Sequence, residues 1–173
     1  MIDNDPKRIQ LIKNQLHQTE NWIFKLITAS TIQEASEKTG RFKADVVVCS
    51  LWLSDSQGQE TYTRLTELNG HLPIVILTDD NKKNEGFRAM EAGAYDFVIN
   101  SEITTDSFVK TIFRSVGQKR LLERLQASEE RFKRMFDDST LGKYQATIEG
   151  KIIDINHAYA LMFGYKDTHD LKN

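Results

Sequence analysis

The stretch Asp45 to Gly58, DVVVCSLWLSDSQG, constrains the fold more than any other part of the chain. Val46, Val47, Val48 and Cys49 form an apolar run without polar alternation. That is the pattern of a strand buried on both faces, as in a parallel sheet covered by helices. A second run, Pro73 to Thr78, follows a helical stretch from about Glu60 to Leu68 closed by Asn69 and Gly70. A third, Asp96 to Asn100, follows another helix that stops at Gly93. Two further strands are expected, a remnant at Met1 and Ile2 and a longer one from Trp22 to Thr28. Strands and helices alternate across the short connections that βα units prefer. The pattern predicts a flavodoxin-like, doubly wound α/β domain with a five-stranded parallel sheet over about the first two-thirds of the chain. Sites in such sheets form beyond the carboxyl ends of the strands, so Ser50, carried to the end of the first run, is a candidate for chemistry.

Helix boundaries are written in the capping residues. Asp5 and Pro6 open a helix whose core face is Ile9, Ile12 and Leu16. Thr31 and Glu34 have capping-box spacing, and Gly40 ends that helix. A long helix begins near Thr105 with Val109, Ile112 and Val116 on one face, and Gly117 is expected to interrupt it. Leu122, Leu125, Phe132 and Phe136 then recur at coiled-coil spacing, with Glu129 in the seam. This predicts a helix that leaves the domain and makes a homodimer. Beyond Ser139, residues Leu141 to Thr147 and Lys151 to Ile155 read as a hairpin across Glu149 and Gly150. A short helix from Ala158 to Phe163 follows, closed by Gly164. Two strands and a helix do not close a core, so residues 132–173 read as part of a second domain after a helical linker, 118–131, and a first domain, 1–117.

Several function classes are disfavoured. Lys and Arg total 23 against 25 Asp and Glu, a net charge of -2 with no basic cluster, so nucleic-acid binding by bulk electrostatics is not expected. The single cysteine, Cys49, excludes a disulfide framework and a cysteine metal site, and fits a reduced, cytoplasmic setting. No apolar run approaches the roughly 20 residues that span a bilayer. His17, His71, His157 and His169 are scattered over different segments and suggest no metal cluster.

The residues at the strand ends now form a set. Asp3-Asn4-Asp5-Pro6, Ser50, Thr78 and Asn100 occupy the positions that carry the chemistry of response-regulator receiver domains. Leu51 to Gly58 resembles the LSLPDSQG loop of that family, and Ala92 to Phe97 resembles its AGAxDY/F turn. The resemblance covers about residues 1 to 120. Further on, Ser128 to Phe132 with Met135 and Phe136 resembles the SEERFRxxF entry of PAS sensor domains. Gly150 to Asn156 and Phe163 to Tyr165 resemble that family's GRIxDVN and LGY motifs. Only the first part of a PAS domain is covered, so its ligand cannot be inferred. The receiver resemblance also implies more apolar residues before the acidic stretch than Met1 and Ile2 supply.

The resemblance to the receiver family implies phosphoryl transfer from a phosphohistidine to an aspartate, with Mg²⁺ bridging acceptor and phosphate. That reaction needs a carboxylate nucleophile, carboxylates for the metal and a lysine for the developing charge. This chain has Ser50 at the acceptor position, Asn4 at one acidic position and Asn100 at the lysine position, leaving Asp3 as the only matching carboxylate. Each change removes a formal charge, so Mg²⁺ binding is expected to be weak or absent and no cofactor is expected. Asp79, after Thr78, would place negative charge near an incoming anion. Phe97 matches the family's switch aromatic. The expectation is a pseudo-receiver: a non-enzymatic module that works by binding protein partners of a signalling pathway and couples to a PAS domain. The alternatives are a working phosphorelay receiver with an unconventional acceptor, or a part of a larger sensor histidine kinase or cyclic-dinucleotide enzyme. Two sharper possibilities attach to single sites: modification of Ser50 by a serine kinase, and a cation gathered by Asp3, Asp55, Asp79 and Asp80.

Overall fold

Every residue of the strands β1 (Val47–Ser50) and β2 (Ile74–Thr78) is buried, which is why neither shows a polar alternation. They pair in parallel, and β2 pairs in parallel with β3 (Asp96–Ile99), giving the order β1-β2-β3. The computed structural model describes residues 1–165. Helices α1 (Pro6–His17), α2 (Ile32–Thr39), α3 (Gln59–Asn69), α4 (Lys83–Glu91) and α5 (Thr105–Asp137) accompany this sheet. Each face of the sheet carries its own core. Val48, Val75, Leu77 and Val98 pack with Ile12 and Leu16 of α1 and Phe108 and Ile112 of α5. Val47, Cys49, Ile74 and Ile76 pack with Ile32 and Ala35 of α2, Leu65 of α3 and Ala89 of α4. Each fully buried Ile or Leu contributes roughly 2 kcal/mol.

The sheet has three strands, not five. The expected remnant at Ile2 is a single parallel bridge to Cys49 on one side and to Ala29 on the other. Ile2 N–H donates to the Val48 carbonyl at 2.8 Å, and Ser50 N–H donates to the Ile2 carbonyl at 2.9 Å. On the other flank, the Met1 ammonium donates to the Ile27 carbonyl at 2.7 Å. Trp22 to Thr28 is not a strand: these residues join no ladder, and the bridge to Ile2 falls beyond them at Ala29. A cavity of about 470 Å³ lies there, between this segment, Val46, Val48 and the apolar faces of α1 and α5.

The caps hold as read. The Asp5 side chain accepts from Lys7 N–H at 2.9 Å, and Thr31 Oγ1 accepts from Glu34 N–H at 3.1 Å. Glu34 reaches back one residue further than a capping box requires, accepting from both N–H and Oγ–H of Ser30. Gly117 does not interrupt α5, which passes through it for 33 residues, about 50 Å.

The described chain divides into two compact units, Met1–Arg120 and the part from Leu121 onward. In the second, β4 (Tyr144–Ala146) and β5 (Ile152–Ile155) form an antiparallel hairpin, and α6 (His157–Met162) follows. Gly150 takes a φ of 86° in the turn, a conformation that favours glycine. Asn156, fully buried, ties this unit together. Its Nδ2 donates to the carbonyls of Phe136 and Leu141, both at 2.9 Å. Its Oδ1 accepts from the backbone N–H of Lys143 at 2.7 Å and of Tyr159 at 2.9 Å. Residues 166–173, which include His169 and the end of the expected PAS segment, lie outside the described residues.

Candidate functional site

The carboxyl ends of Ile2, β1, β2 and β3 converge, and the side chains they deliver do not meet as receiver chemistry requires. Ser50 is buried; its Oγ accepts from Trp52 N–H at 3.3 Å, a weak bond within its own turn. Thr78 is buried too and donates its hydroxyl to the Lys82 carbonyl at 2.9 Å, turned into the start of the following loop. Asn4 is exposed. Phe97 packs on α4, with its ring 4.9 Å from that of Phe87. A Cβ built on Gly86 would come within 2.6 Å of the Phe97 ring, so only glycine lets the helix approach this closely.

Asp3 has a partner that motif matching did not find. It is completely buried, and its Oδ2 lies 2.7 Å from Nε of Arg8, a residue of the first turn of α1. Oδ1 of Asp3 accepts from Asp5 N–H at 2.8 Å. Burial pushes the Asp3 carboxyl above its usual range, while the Asp5 amide and the Arg8 guanidinium pull it back. The same guanidinium reaches across the sheet edge to Asp79, Nη1 to Oδ1 at 3.3 Å. Asp79 Oδ1 also accepts from Asn100 Nδ2. Asp3, Arg8, Asp79 and Asn100 thus form one chain of alternating polarity along the rim, with the cation supplied by the protein.

The other acidic candidates go elsewhere. Asp55 Oδ2 accepts from the N–H groups of Ile32 and Gln33 and caps the start of α2. Asp80 accepts from Ser101 Oγ at 2.8 Å. Among the described residues, no three His, Cys, Asp or Glu side chains gather as metal ligands. The four-aspartate cation site is therefore not assembled. Mg²⁺ takes one or two carboxylates with near-ideal octahedral geometry. Asp3 is the only buried carboxylate among the described residues, and the Arg8 guanidinium lies 2.7 Å from its Oδ2, a cation where the metal would sit, so these residues do not fit that ion.

Above the rim, Trp52 donates its indole N–H to Glu85 at 2.6 Å, and the Lys82 ammonium sits over its ring at 3.5 Å. Cation–π contact with tryptophan at this distance adds about 0.5–1 kcal/mol at an exposed site. Arg8 lies in no family motif, and Trp52 is a departure within the loop that resembles LSLPDSQG. The one available signal was charge, a cation on the first turn of the helix that follows Asp3.

Comparison with known proteins agrees with this architecture. The family model for the response regulator receiver domain matches residues 1–112. The chain belongs to that family. Among curated proteins it is similar to the transcriptional regulatory protein ZraR of Klebsiella oxytoca, 23% identical over 71% of this chain and 27% of that one. It is also similar to the C4-dicarboxylate transport transcriptional regulatory protein DctD of Pseudomonas aeruginosa, 25% identical over 70% of this chain and 26% of that one. The chain thus spans about a quarter of these relatives' length. Among solved structures, the receiver domain of NtrX from Brucella abortus matches with a TM-score of 0.59 at 19% identity, covering 67% of this chain and 95% of that one. A receiver domain protein from Clostridium thermocellum matches with a TM-score of 0.59 at 23% identity, covering 70% and 94%. These two structures speak to the fold.

Proposed function

We propose that this chain is a pseudo-receiver, a signal-transduction module that keeps the receiver fold and works by binding other proteins, without taking a phosphoryl group on an aspartate. The observation that carries this reading is the Arg8–Asp3 contact at 2.7 Å, which gives the buried carboxylate an internal cation. Ser50, buried at the acceptor position, brings no carboxylate and has no base beside it. Asn100, at the lysine position, donates to Asp79 and adds no charge. A phosphoryl group arriving here would meet the half-exposed Asp79 carboxylate and no free cation of the original site.

Such a module signals by differential binding. Its partners are proteins of a two-component pathway in a cytoplasmic setting. Its output passes through residues 118–131 as a helical linker to 132–173, the first part of a PAS domain of unassigned ligand, and α5 pairs with a second copy. The larger protein is a sensor kinase, a cyclic-dinucleotide enzyme or, as the relatives' names suggest, a transcriptional regulator. Because those relatives are named transcriptional regulators, the expectation of no nucleic-acid partner is not carried over to the protein.

The test is incubation with a small-molecule phosphodonor and Mg²⁺, followed by intact-mass analysis and peptide mapping. The unmodified mass is expected for the natural chain and for Ser50→Ala alike. An aspartyl adduct on the natural chain overturns the reading, and a seryl adduct lost in Ser50→Ala replaces it with an unconventional acceptor.

A further inference from the structure

The helix pairing just proposed can be deepened, because the structure changes which face of α5 is free to make it. The sequence pattern points to Leu122, Leu125, Phe132 and Phe136 with Glu129 in the seam. In the folded chain Phe136 is only 7% exposed, and its carbonyl accepts from Asn156. That seam therefore loses its last apolar member and keeps a carboxylate in the middle. One step around the helix, Leu121, Leu125, Phe132 and Met135 are 68%, 55%, 58% and 64% exposed. With Ser128 between them, their spacing is four, three, four and three residues, an unbroken a/d pattern. At about 100° per residue these five positions lie within an 80° stripe, as narrow as a coiled-coil seam requires.

We infer that this stripe, Leu121-Leu125-Ser128-Phe132-Met135, is the interface for a second copy of the same chain, packed parallel and in register. Three observations select that occupant. The stripe is self-complementary, since an a/d seam fills the holes of an identical seam. It is also lined by charges that suit a parallel copy: Arg124 flanks one side and Glu129, five residues on, flanks the other. In a parallel pair these flanking positions meet across the interface, so two symmetric Arg124–Glu129 pairs form. An antiparallel pair would set each flank against its own kind and lose this match. Finally, Ser128 is small at a d position, which leaves room for its own copy at the same level of a parallel, in-register seam.

This inference rests on the proposed self-association, and the experiment separates the two. Sedimentation of the full chain over a range of concentrations reads self-association itself; a monomer throughout overturns both. Given a dimer, single cysteines are introduced in a Cys49→Ala background and oxidised. Leu121→Cys and Ser128→Cys are each expected to cross-link, and Glu129→Cys is not. Cross-linking of Glu129→Cys without Ser128→Cys restores the other seam and overturns the inference while the dimer stands. Cross-linking of Ser128→Cys without Leu121→Cys overturns the parallel orientation, because position 128 is the midpoint of the stripe. Charge supplies an independent check: Arg124→Glu weakens the dimer about tenfold, and adding Glu129→Arg restores it. Arg124→Glu with no effect on the dimer counts against the parallel register. Leu125→Glu, exposed in the single chain, abolishes the dimer while far-ultraviolet dichroism stays that of the natural protein.

Discussion

At the scale of single residues, Arg8 has the largest consequence. A buried carboxylate that loses its ion pair is left uncompensated, at a cost of about 3 kcal/mol. Arg8→Ala is therefore expected to lower the stability of the first unit by about that much in urea denaturation. Asp79→Asn, which removes the half-exposed end of the same chain of contacts, should cost less than about 1 kcal/mol. Equal losses would mean that Arg8 serves the two carboxylates alike, which burial does not allow. Asp3, Asn4, Ser50, Thr78 and Asn100 were all legible as strand-end positions, and the structure puts Asp3, Ser50, Thr78 and Asn100 at that edge. Their bonding was not legible. Arg8 belongs to no motif, and whether a cation reaches a carboxylate depends on the angle between α1 and the sheet.

At the scale of elements, the start of α2 offers a pH test. Glu34 is held down to about 2, first by its bond from Lys38 and then by those from Ser30 N–H and Oγ–H. A carboxyl depressed in the folded state adds stability above its unfolded value near 4.5, and that contribution is lost as pH falls toward 2. Glu34→Gln is thus expected to melt lower than the natural protein at pH 7 and to match it as pH approaches 2. A constant difference across this range would locate the effect in packing instead of ionisation. The elements also show how a strand can fail despite suitable residues. Trp22 to Thr28 has the β-branched and aromatic content of a strand. Residues 22–28 join no ladder, and sheet structure is defined by its partner as much as by its own side chains.

At the scale of the whole molecule, α5 belongs to both units, since Phe108 and Ile112 pack on the sheet while the residues from Leu121 onward belong to the second unit. A fragment ending at Arg120 is expected to keep the helical dichroism of the first unit and to sediment as a monomer at concentrations where the full chain is a dimer. A dimeric fragment would move the interface onto the receiver unit and away from the stripe that begins at Leu121. Among the described residues no helix is long and apolar enough to cross a membrane.

The sequence by itself determined the layered α/β fold, the helix caps and the positions at the carboxyl edge of the sheet. These depend on local rules: apolar runs buried on both faces, capping side chains one turn from a helix start, and turns closed by glycine. Only the tertiary structure decided that three strands pair instead of five, that α5 continues through Gly117, that Phe136 is buried, and that Arg8 sits on Asp3. Each of those is a choice among neighbours distant in the chain. A residue's type narrows such choices, but the space left by the other elements makes them.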